Sequence, residues 1–299
     1  MKRRIVQHGS SSLTVSLPYK WAKRYGLNKG DEVELEEKGN SVCIKIREEK
    51  TSHKATFTIE NKDTFLRRYI ISLYKQGYDE IEIISKDGLP LRRINDVLNE
   101  LLGFEIIEQG LKRCVIRNVA QASDAEFDPM LRRAFLVTIS LANGSLEAIK
   151  GKKFDELKEL SKIQYTNNKL TNLCQRILNK KGYKDHIKTN YMYSIIDQLE
   201  QIGDHYGDLC DYTYHNNMNV DGKVIQLFEN VNNLFEFTYR LFYNFDKKRM
   251  IELKNGMNKL NKELLDVFGN NYGKQLVLVQ YLIQVLERIN HIGLFLIDI

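Results

Sequence analysis

The sequence predicts a multi-domain α+β protein, because the residue pattern changes twice along its 299 residues. Residues 1–50 read as short strands and turns, residues 54–120 alternate between strands and helices, and residues 124–299 read as consecutive helices. A chain of this length is expected to contain about two domains. With 42% hydrophobic residues it can bury a sizeable core, which excludes wholesale disorder.

Residues 1–50 contain two expected hairpins with a short helix between them. Period-two alternation and a tight Ser-rich turn place strands at 5–7, 13–17, 33–36 and 41–46. The helix is expected at 18–26, where Pro18 suits the first turn and Gly26 suits the stop. Because so few strands cannot bury both of their faces, we expect this region to pair with a second copy of itself.

Residues 54–120 are predicted to form a small α/β domain. Strands are expected at 55–60, 79–84, 105–108 and 113–118, and helices at 63–75 and 91–102. The order strand, helix, strand, helix, strand, strand is typical of such a domain. No Gly-rich phosphate loop follows a strand in this region.

Residues 124–299 are predicted to form six helices, arranged as two antiparallel three-helix bundles with short loops. Helix breaks are expected near 151–153, 181–183, 220–222, 245–247 and 269–271. The third helix of each set carries a related signature, Leu-Glu-Gln-Ile-Gly-Asp at 199–204 and Leu-Glu-Arg-Ile-Asn-His at 286–291, and these lie 87 residues apart. The offset suits three helices and indicates an internal duplication, with repeats at about 124–218 and 220–299.

Five carboxylates of the first repeat share one side of a predicted helix within an arc of about 80°. They are spaced 3, 4, 4 and 3 residues apart, at Asp197, Glu200, Asp204, Asp208 and Asp211. Like charges one turn apart oppose each other by about 0.2–0.5 kcal/mol per pair, so the stripe favours a cation or a basic surface. Hard oxygen ligands suit Mg²⁺, Ca²⁺ or Mn²⁺, and His205 nearby would admit iron or zinc. The alternative is the solvated face of an amphipathic helix, whose opposite side carries Ile195, Leu199, Ile202, Tyr206 and Leu209.

Positive charge is concentrated at the start of the chain. The net charge is +6, from 45 basic and 39 acidic residues. Seven of the basic residues and none of the acidic ones lie in residues 1–30, so residues 31–299 carry 38 basic and 39 acidic side chains. The seven are Lys2, Arg3, Arg4, Lys20, Lys23, Arg24 and Lys29. A basic patch of this kind suits nucleic acid, an anionic membrane or an acidic protein.

The N-terminal residues resemble the AbrB/MazE-type swapped-hairpin DNA-binding domain. The resemblance rests on a strand, a Ser-rich turn, a strand ending in Leu17-Pro18, a short helix and the segment Gly-Leu-x-x-Gly-Asp at 26–31. It covers residues 4–46. It implies a swapped-hairpin β-barrel that is built by a homodimer and binds double-stranded DNA.

The resemblance and the charge together predict which residues contact DNA. Because the planar fork of arginine can read guanine in the major groove, Arg3 and Arg4 are the candidates for base contacts. The candidates for phosphate contacts are Lys2, Lys20, Lys23, Arg24, Ser10, Ser11 and Ser12. The alternatives are that the basic residues at 20–24 form the solvated side of a short helix and that the serines form a simple turn.

Residues 124–299 resemble the PhoU family, which also has two three-helix repeats. The match rests on the signature at 199–204 and its weaker copy at 286–291. In that family a Glu/Asp-x-x-x-Asp signature in each repeat can hold metal clusters. The resemblance therefore implies a divalent, iron or zinc cation at Glu200 and Asp204, with Asp197, Asp208, Glu287 and His291 as further candidate ligands. His291 departs from the Asp of the family pattern.

Together these features predict an archaeal-type fusion of the two families, which is a cytoplasmic, homodimeric transcription regulator of phosphate uptake. A phosphate-transporter component is expected as a further partner. The alternative is an interaction protein that docks on a phosphate transporter or a sensor kinase and uses its N-terminal domain only to dimerise. No nucleophile–base motif, Walker loop or zinc-protease signature appears, so an enzyme is not expected. No apolar run approaches the ~18 residues of a membrane span, and the four scattered cysteines favour a reducing cytoplasm.

Overall fold

The computed structural model describes residues 1–38, 41–46, 53–60, 64–120, 126–268 and 272–297. The chain divides into two compact units, Met1–Thr51 and Ser52–Ile299. The first contains two hairpins and a short helix, and the second combines a four-stranded sheet with a larger set of helices. Among the helices described, none combines the length with the apolarity that a bilayer span requires.

The first unit contains the predicted hairpins and helix. Its elements are β1 (Ile5–His8), β2 (Ser12–Val15), α1 (Tyr19–Arg24), β3 (Val33–Lys38) and β4 (Ser41–Ile46). β1 pairs antiparallel with β2, and β3 pairs antiparallel with β4. The described strands form two separate two-stranded sheets. Within the described part of this unit, the two sheets therefore do not close into the β-barrel that the resemblance implies.

Apolar side chains of the first unit are uncovered in a single chain. Ile5, Leu13 and Val15 share one face of the β1–β2 hairpin, and Leu13 is 72% exposed. Leu35 and Val42 share a face of the β3–β4 hairpin and are 67% and 62% exposed. No described residue of this unit is buried. Because isolated two-stranded hairpins are at best marginally stable, this unit needs a further surface to cover these faces.

The second unit begins with a four-stranded sheet and two helices, in the predicted order. The elements are β5 (Lys54–Ile59), α2 (Leu66–Lys75), β6 (Glu80–Ser85), α3 (Leu91–Leu98), β7 (Phe104–Gln109) and β8 (Arg113–Asn118). The strand order is β5-β6-β8-β7, with β5 parallel to β6 and the other pairs antiparallel. The predicted start of α2 at 63 lies outside the described residues. α3 ends at Leu98 rather than at 102, because hydrogen bonds from Glu100 to Val97 and from Leu101 to Leu98 tighten the chain into a turn.

The two faces of this sheet have different surroundings. Ile81 and Ile83 of β6 are completely buried with Ile70 of α2 and Ile94 of α3. In contrast, Glu80 of β6 forms ion pairs with basic residues of the two neighbouring strands. The α/β layer therefore has an apolar side covered by its own helices and a side of paired charges.

The remaining helices form the second layer of this unit. They are α4 (Phe127–Lys150), α5 (Phe154–Ser161), α6 (Ile163–Lys181), α7 (Thr189–Asn216), α8 (Gly222–Tyr243), α9 (Lys247–Phe268) and α10 (Gln275–Leu296). The predicted breaks fall between these helices, except that 269–271 lies outside the described residues. The expectation of six helices is wrong at Lys162, where the predicted second helix divides into α5 and α6. There, i→i+3 hydrogen bonds from Lys162 to Glu159 and from Tyr165 to Lys162 interrupt the α-helical pattern.

Helix α6 lies at the centre of the second unit. All residues from 170 to 178 are buried, including the charged Arg176. α6 packs against α4 and α7 of the helical layer and against α2 of the α/β layer. The guanidinium of Arg176 donates to the carbonyl oxygens of Tyr74 at 2.8 Å and Tyr78 at 2.7 Å, and to Asp79 Oδ1 at 2.6 Å. The two layers therefore form one unit, joined across α6.

The two related signatures lie on adjoining helices. The first lies on α7 and the second on α10, and these helices pack against each other. Leu199 and Ile202 of the first signature are buried, as are Leu286 and Ile289 of the second. The matching apolar positions are therefore buried in both signatures.

Candidate functional site

The candidate DNA-binding residues all lie on exposed surface of the first unit. Lys2, Arg3 and Arg4 precede β1, and Lys20, Lys23 and Arg24 belong to α1. The run Ser10 to Ser12 forms the turn into β2, and Gly9, with φ of +71°, makes that turn possible. Each of these side chains is therefore accessible to a phosphate or a base edge.

The carboxylate stripe lies on α7, but it is not simply a solvated face. The Nζ of Lys75, from α2, lies 2.9 Å from Oε2 of Glu200, and both side chains are about one-fifth exposed (18% and 21%). Burial raises the pKa of the Glu200 carboxyl, and the ion pair with Lys75 opposes the rise. Asp208, two turns further along, is exposed. The α/β layer thus covers the first part of the stripe and leaves the later part open.

The further candidate metal ligands have other surroundings. Asp197 Oδ2 accepts a hydrogen bond from Gln201 at 2.8 Å. Glu287 and His291 are exposed on α10, and His291 Nδ1 lies 3.2 Å from Oε1 of Gln198. Within the described residues, no three or more His, Cys, Asp or Glu side chains are grouped so that they could hold a metal ion. Metal binding by these residues stays a prediction.

A cleft of about 750 Å³ opens between α2 and α3 of the α/β layer and α6 and α7 of the helical layer. Five carboxylates line it, three from the stripe and two from the opposite side, namely Asp204, Asp208, Asp211, Asp96 and Glu100. Arg67 is the basic residue of the lining. The cleft therefore has an excess of negative charge on two facing sides.

Several hydrogen bonds organise the inner part of this cleft. The guanidinium of Arg67 holds Glu100, which is 6% exposed, with one contact of 3.1 Å and another of 2.5 Å. Asn168 of α6 donates from Nδ2 to Asp204 Oδ1 at 3.0 Å. Burial raises the pKa of Asp204, the hydrogen bond from Asn168 opposes the rise, and the charge of Asp208 adds to it. Ionised Asp204 is thus held in a site that disfavours its charge.

A row of buried polar residues on α6 was not predicted from the sequence. Gln164, Asn168, Thr171 and Gln175 are spaced 4, 3 and 4 residues apart and are buried. Oδ1 of Asn168 and both amide atoms of Gln175 have no hydrogen-bond partner among the described residues. The spacing, which resembles that of the carboxylate stripe, is the signal that would have found this row.

Gly203 of the signature has a packing reason to be glycine. Asn167 of α6 is completely buried and donates from Nδ2 to the carbonyl oxygen of Leu199 at 3.1 Å. A Cβ atom at position 203 would lie 2.3 Å from the same Nδ2. At Gly207, one turn later, the added Cβ would instead meet the amide end of Gln164 at 2.5 Å. The glycines therefore let α7 approach the polar row of α6.

The comparisons with known proteins concern the first unit. Residues 6–53 match the family described as "Antidote-toxin recognition MazE, bacterial antitoxin". No curated protein and no solved structure matches the chain. The resemblance of the N-terminal residues to AbrB/MazE-type domains is confirmed, whereas the PhoU resemblance of residues 124–299 stays a prediction. The chain begins with a MazE/AbrB-type domain, and domains of this type typically dimerise and bind DNA.

Proposed function

We propose that the protein is a homodimeric, DNA-binding transcription regulator. One observation carries the proposal: the exposed basic residues lie on a MazE/AbrB-type unit whose apolar hairpin faces are uncovered in a single chain. A second copy covers these faces and brings two sets of basic residues together. The two-fold symmetry of such a dimer favours an operator with inverted repeats.

The charge supplies affinity, and the arginines supply specificity. Seven basic side chains in residues 1–30 become 14 (2 × 7) in a dimer. If about half of these contact phosphates, log K against log salt has a slope of about −6. Arg3 and Arg4 read bases, whereas Lys20, Lys23 and Arg24 neutralise phosphates.

The regulated process in this proposal is phosphate uptake, with the helical layer as the sensor of phosphate status. The support is the resemblance to the PhoU family, carried by the related signatures on α7 and α10 and their matched apolar packing. A phosphate-transporter component is the proposed partner of this layer.

A gel-shift series tests DNA binding directly. The full chain is titrated onto genomic fragments and scrambled fragments at several salt concentrations. Lys20→Ala removes two charges from a dimer and is expected to reduce the salt slope by about 2 without changing sequence preference. Arg4→Ala is expected to relax the preference, by about 1–3 kcal/mol per lost base contact. Lys247→Ala, at an exposed position of the helical layer, is the matched control.

Two outcomes separate this function from its alternative. Specific retention that Lys247→Ala preserves supports the regulator, and recovery of bound genomic DNA at high and low phosphate then tests the target pathway. A stable dimer without specific retention at any salt contradicts the proposal. That result favours a docking protein whose N-terminal unit only dimerises.

A further inference from the structure

We propose that one end of the helical layer docks on the surface of a membrane that is rich in anionic phospholipid. This docking end consists of three segments, at 126–133, 181–189 and 243–249. They are the start of α4, the connection from α6 to α7, and the connection from α8 to α9 with the first residues of α9. The proposal goes beyond the proposed function, and neither depends on the other.

Aromatic contacts place the three segments at the same end of the helical layer. The ring of Tyr183 lies 5.6 Å from the ring of Phe127, so the connection from α6 to α7 lies beside the start of α4. The guanidinium carbon of Arg132 lies 4.8 Å from the ring centroid of Tyr243, so the connection from α8 to α9 also begins beside α4. The segments therefore form one surface, although more than 110 residues separate the first from the last along the chain.

Basic residues outnumber acidic ones on the docking end. Its three segments contain eight Lys and Arg residues and four Asp and Glu residues, which gives a net charge of +4 (8 − 4). Two of the acidic residues pair within the segments, Asp128 with Lys184 and Asp185 with Lys188. The basic run at 247–249 is exposed at the start of α9. Since each Lys or Arg near an anionic bilayer raises affinity about fivefold, this charge favours a negatively charged membrane surface.

Each connection at the docking end also has an exposed apolar side chain. Ile187, between α6 and α7, is 82% exposed, and Phe245, between α8 and α9, is 52% exposed. Helix α7 begins at this end and is 28 residues long, so its other end lies about 40 Å away. There, Met218 and Val220 of the connection from α7 to α8 are each only 8% exposed. Exposure of apolar side chains is thus a property of the basic end.

Apolar side chains beside lysines are typical of segments that lie in a membrane interface. The apolar group enters the boundary of the acyl chains, and the cations contact the lipid headgroups. At the docking end, Ile187 is followed by Lys188, and Phe245 is followed within two residues by the run 247–249. Both connections therefore carry the two kinds of group that such docking requires.

A lipid surface suits this combination better than duplex DNA or a second copy of the same end. DNA offers phosphates to the cations, but its backbone has no apolar region for the two exposed side chains. A second copy of the docking end would carry the same positive charge, and the two ends would repel each other. A bilayer with anionic headgroups supplies both the negative charge and the apolar region.

Cosedimentation of the full chain with vesicles tests the proposal. The vesicles contain either phosphatidylcholine alone or equal parts of phosphatidylcholine and phosphatidylglycerol. We expect binding to the anionic vesicles, weaker binding at higher salt, and little binding to phosphatidylcholine alone. Lys247→Ala combined with Lys248→Ala is expected to weaken binding at least about tenfold. Both positions are exposed, so the variant is expected to fold, which circular dichroism verifies.

The basic residues of the first unit provide the matched control, since they also attract anionic lipid. Lys20→Ala combined with Lys23→Ala removes the same number of lysines from exposed positions of α1. We expect this variant to retain most of the vesicle binding. An absence of binding to anionic vesicles, or a loss in the control that equals the loss in the first variant, would overturn the proposal. The vesicle assay contains no DNA, so its failure is distinct from failure of the gel-shift series.

A tryptophan probe tests whether the apolar side chains enter the bilayer. Trp21, the single tryptophan of the sequence, belongs to the first unit and reports on that unit alone. Phe245→Trp adds a second tryptophan at the docking end. With anionic lipid brominated on its acyl chains, we expect stronger quenching in Phe245→Trp than in the unchanged chain. Equal quenching in the two proteins would contradict membrane docking and favour an acidic protein as the partner of this end.

Discussion

Replacing Arg176 by alanine is expected to weaken the contact between the two layers of the second unit and so to lower its free energy of unfolding. In the folded chain Arg176 is 4% exposed, and its guanidinium donates to the carbonyl oxygens of Tyr74 and Tyr78 and to one oxygen of Asp79. Alanine at this position supplies no donor. The variant therefore leaves two carbonyl groups without their charged donor and opens a cavity at the contact between α6 and the α/β layer.

The magnitude follows from the partners that remain. Removing one member of a buried ion pair costs about 3–5 kcal/mol. Asp79 keeps its second cation, because Lys180 Nζ lies 2.7 Å from Oδ1, and the side chain of Asp79 is 20% exposed. The carbonyl oxygen of Tyr74 also keeps the N–H of Gly77 at 3.0 Å. The loss therefore arises mainly at the carbonyl group of Tyr78 and in the cavity, and we expect about 4 kcal/mol in the free energy of unfolding. For a unit of this size, that corresponds to a fall in Tm of about 10 °C.

Thermal unfolding of the full chain, followed by far-ultraviolet circular dichroism, measures this effect, because most helices belong to the second unit. The sequence has one tryptophan, Trp21, so its fluorescence independently checks that the first unit is folded. Lys180→Ala is the matched control, since it removes the more exposed partner of Asp79 (33% against 5% for Arg176). We expect this control to cost less than about 1 kcal/mol. Equal shifts in Tm for Arg176→Ala and Lys180→Ala would refute the reasoning.

Three further predictions concern the dimer, the signature glycine and the stripe. Leu13→Asp places a charge on an apolar hairpin face, so light scattering coupled to size-exclusion chromatography should show a monomer; a stable dimer would contradict the proposed pairing. Gly203→Ala should reduce the free energy of unfolding by about 2 kcal/mol in chemical denaturation, since its Cβ meets a fixed, buried amide. Gly207→Ala should cost less, because its Cβ meets the flexible end of a side chain, whereas the gain of about 1 kcal/mol in helix propensity is common to both variants; a reversed order would count against the packing argument. Because burial raises the pKa of Asp204 in the folded chain, its ionisation lowers stability as pH rises through that value, so Asp204→Asn should raise Tm at neutral pH. The difference should vanish below about pH 3, where the carboxyl is protonated in both the folded and the unfolded state. Thermal unfolding from neutral pH to about pH 3 measures it, and a difference in Tm that stays constant over this range would contradict the prediction.

Local patterns in the sequence were sufficient for most of the secondary structure. A tight Ser-rich turn predicted the first hairpin of the first unit, period-two alternation predicted the second, and apolar spacing predicted α2. The order of strands and helices in residues 54–120 was also correct. The division at Lys162 was missed, because neither a proline nor a glycine stands there to signal it.

The candidate site was only partly predictable. The carboxylate stripe was visible because its members repeat at helical spacing, and the basic residues were visible because they cluster at one end of the chain. The sequence could not decide between a solvated stripe and a binding surface. That choice depended on Lys75, which pairs with Glu200, and on Glu100, which lines the same cleft as Asp204. Both are more than 95 residues away from the stripe along the chain and approach it only through packing of the two layers.

The sequence by itself determined most of the helices, the hairpins, the two related signatures and the concentration of positive charge, because each is a pattern of residues close together in the chain. Only the tertiary structure decided which polar faces are buried. Asn168 and Arg176 are residue types that usually lie on the exposed face of a helix, yet each is only 4% exposed. The physical reason is that a second layer covers α6 on its polar side, so hydrogen bonds and ion pairs to distant residues replace the water that a polar face would otherwise contact.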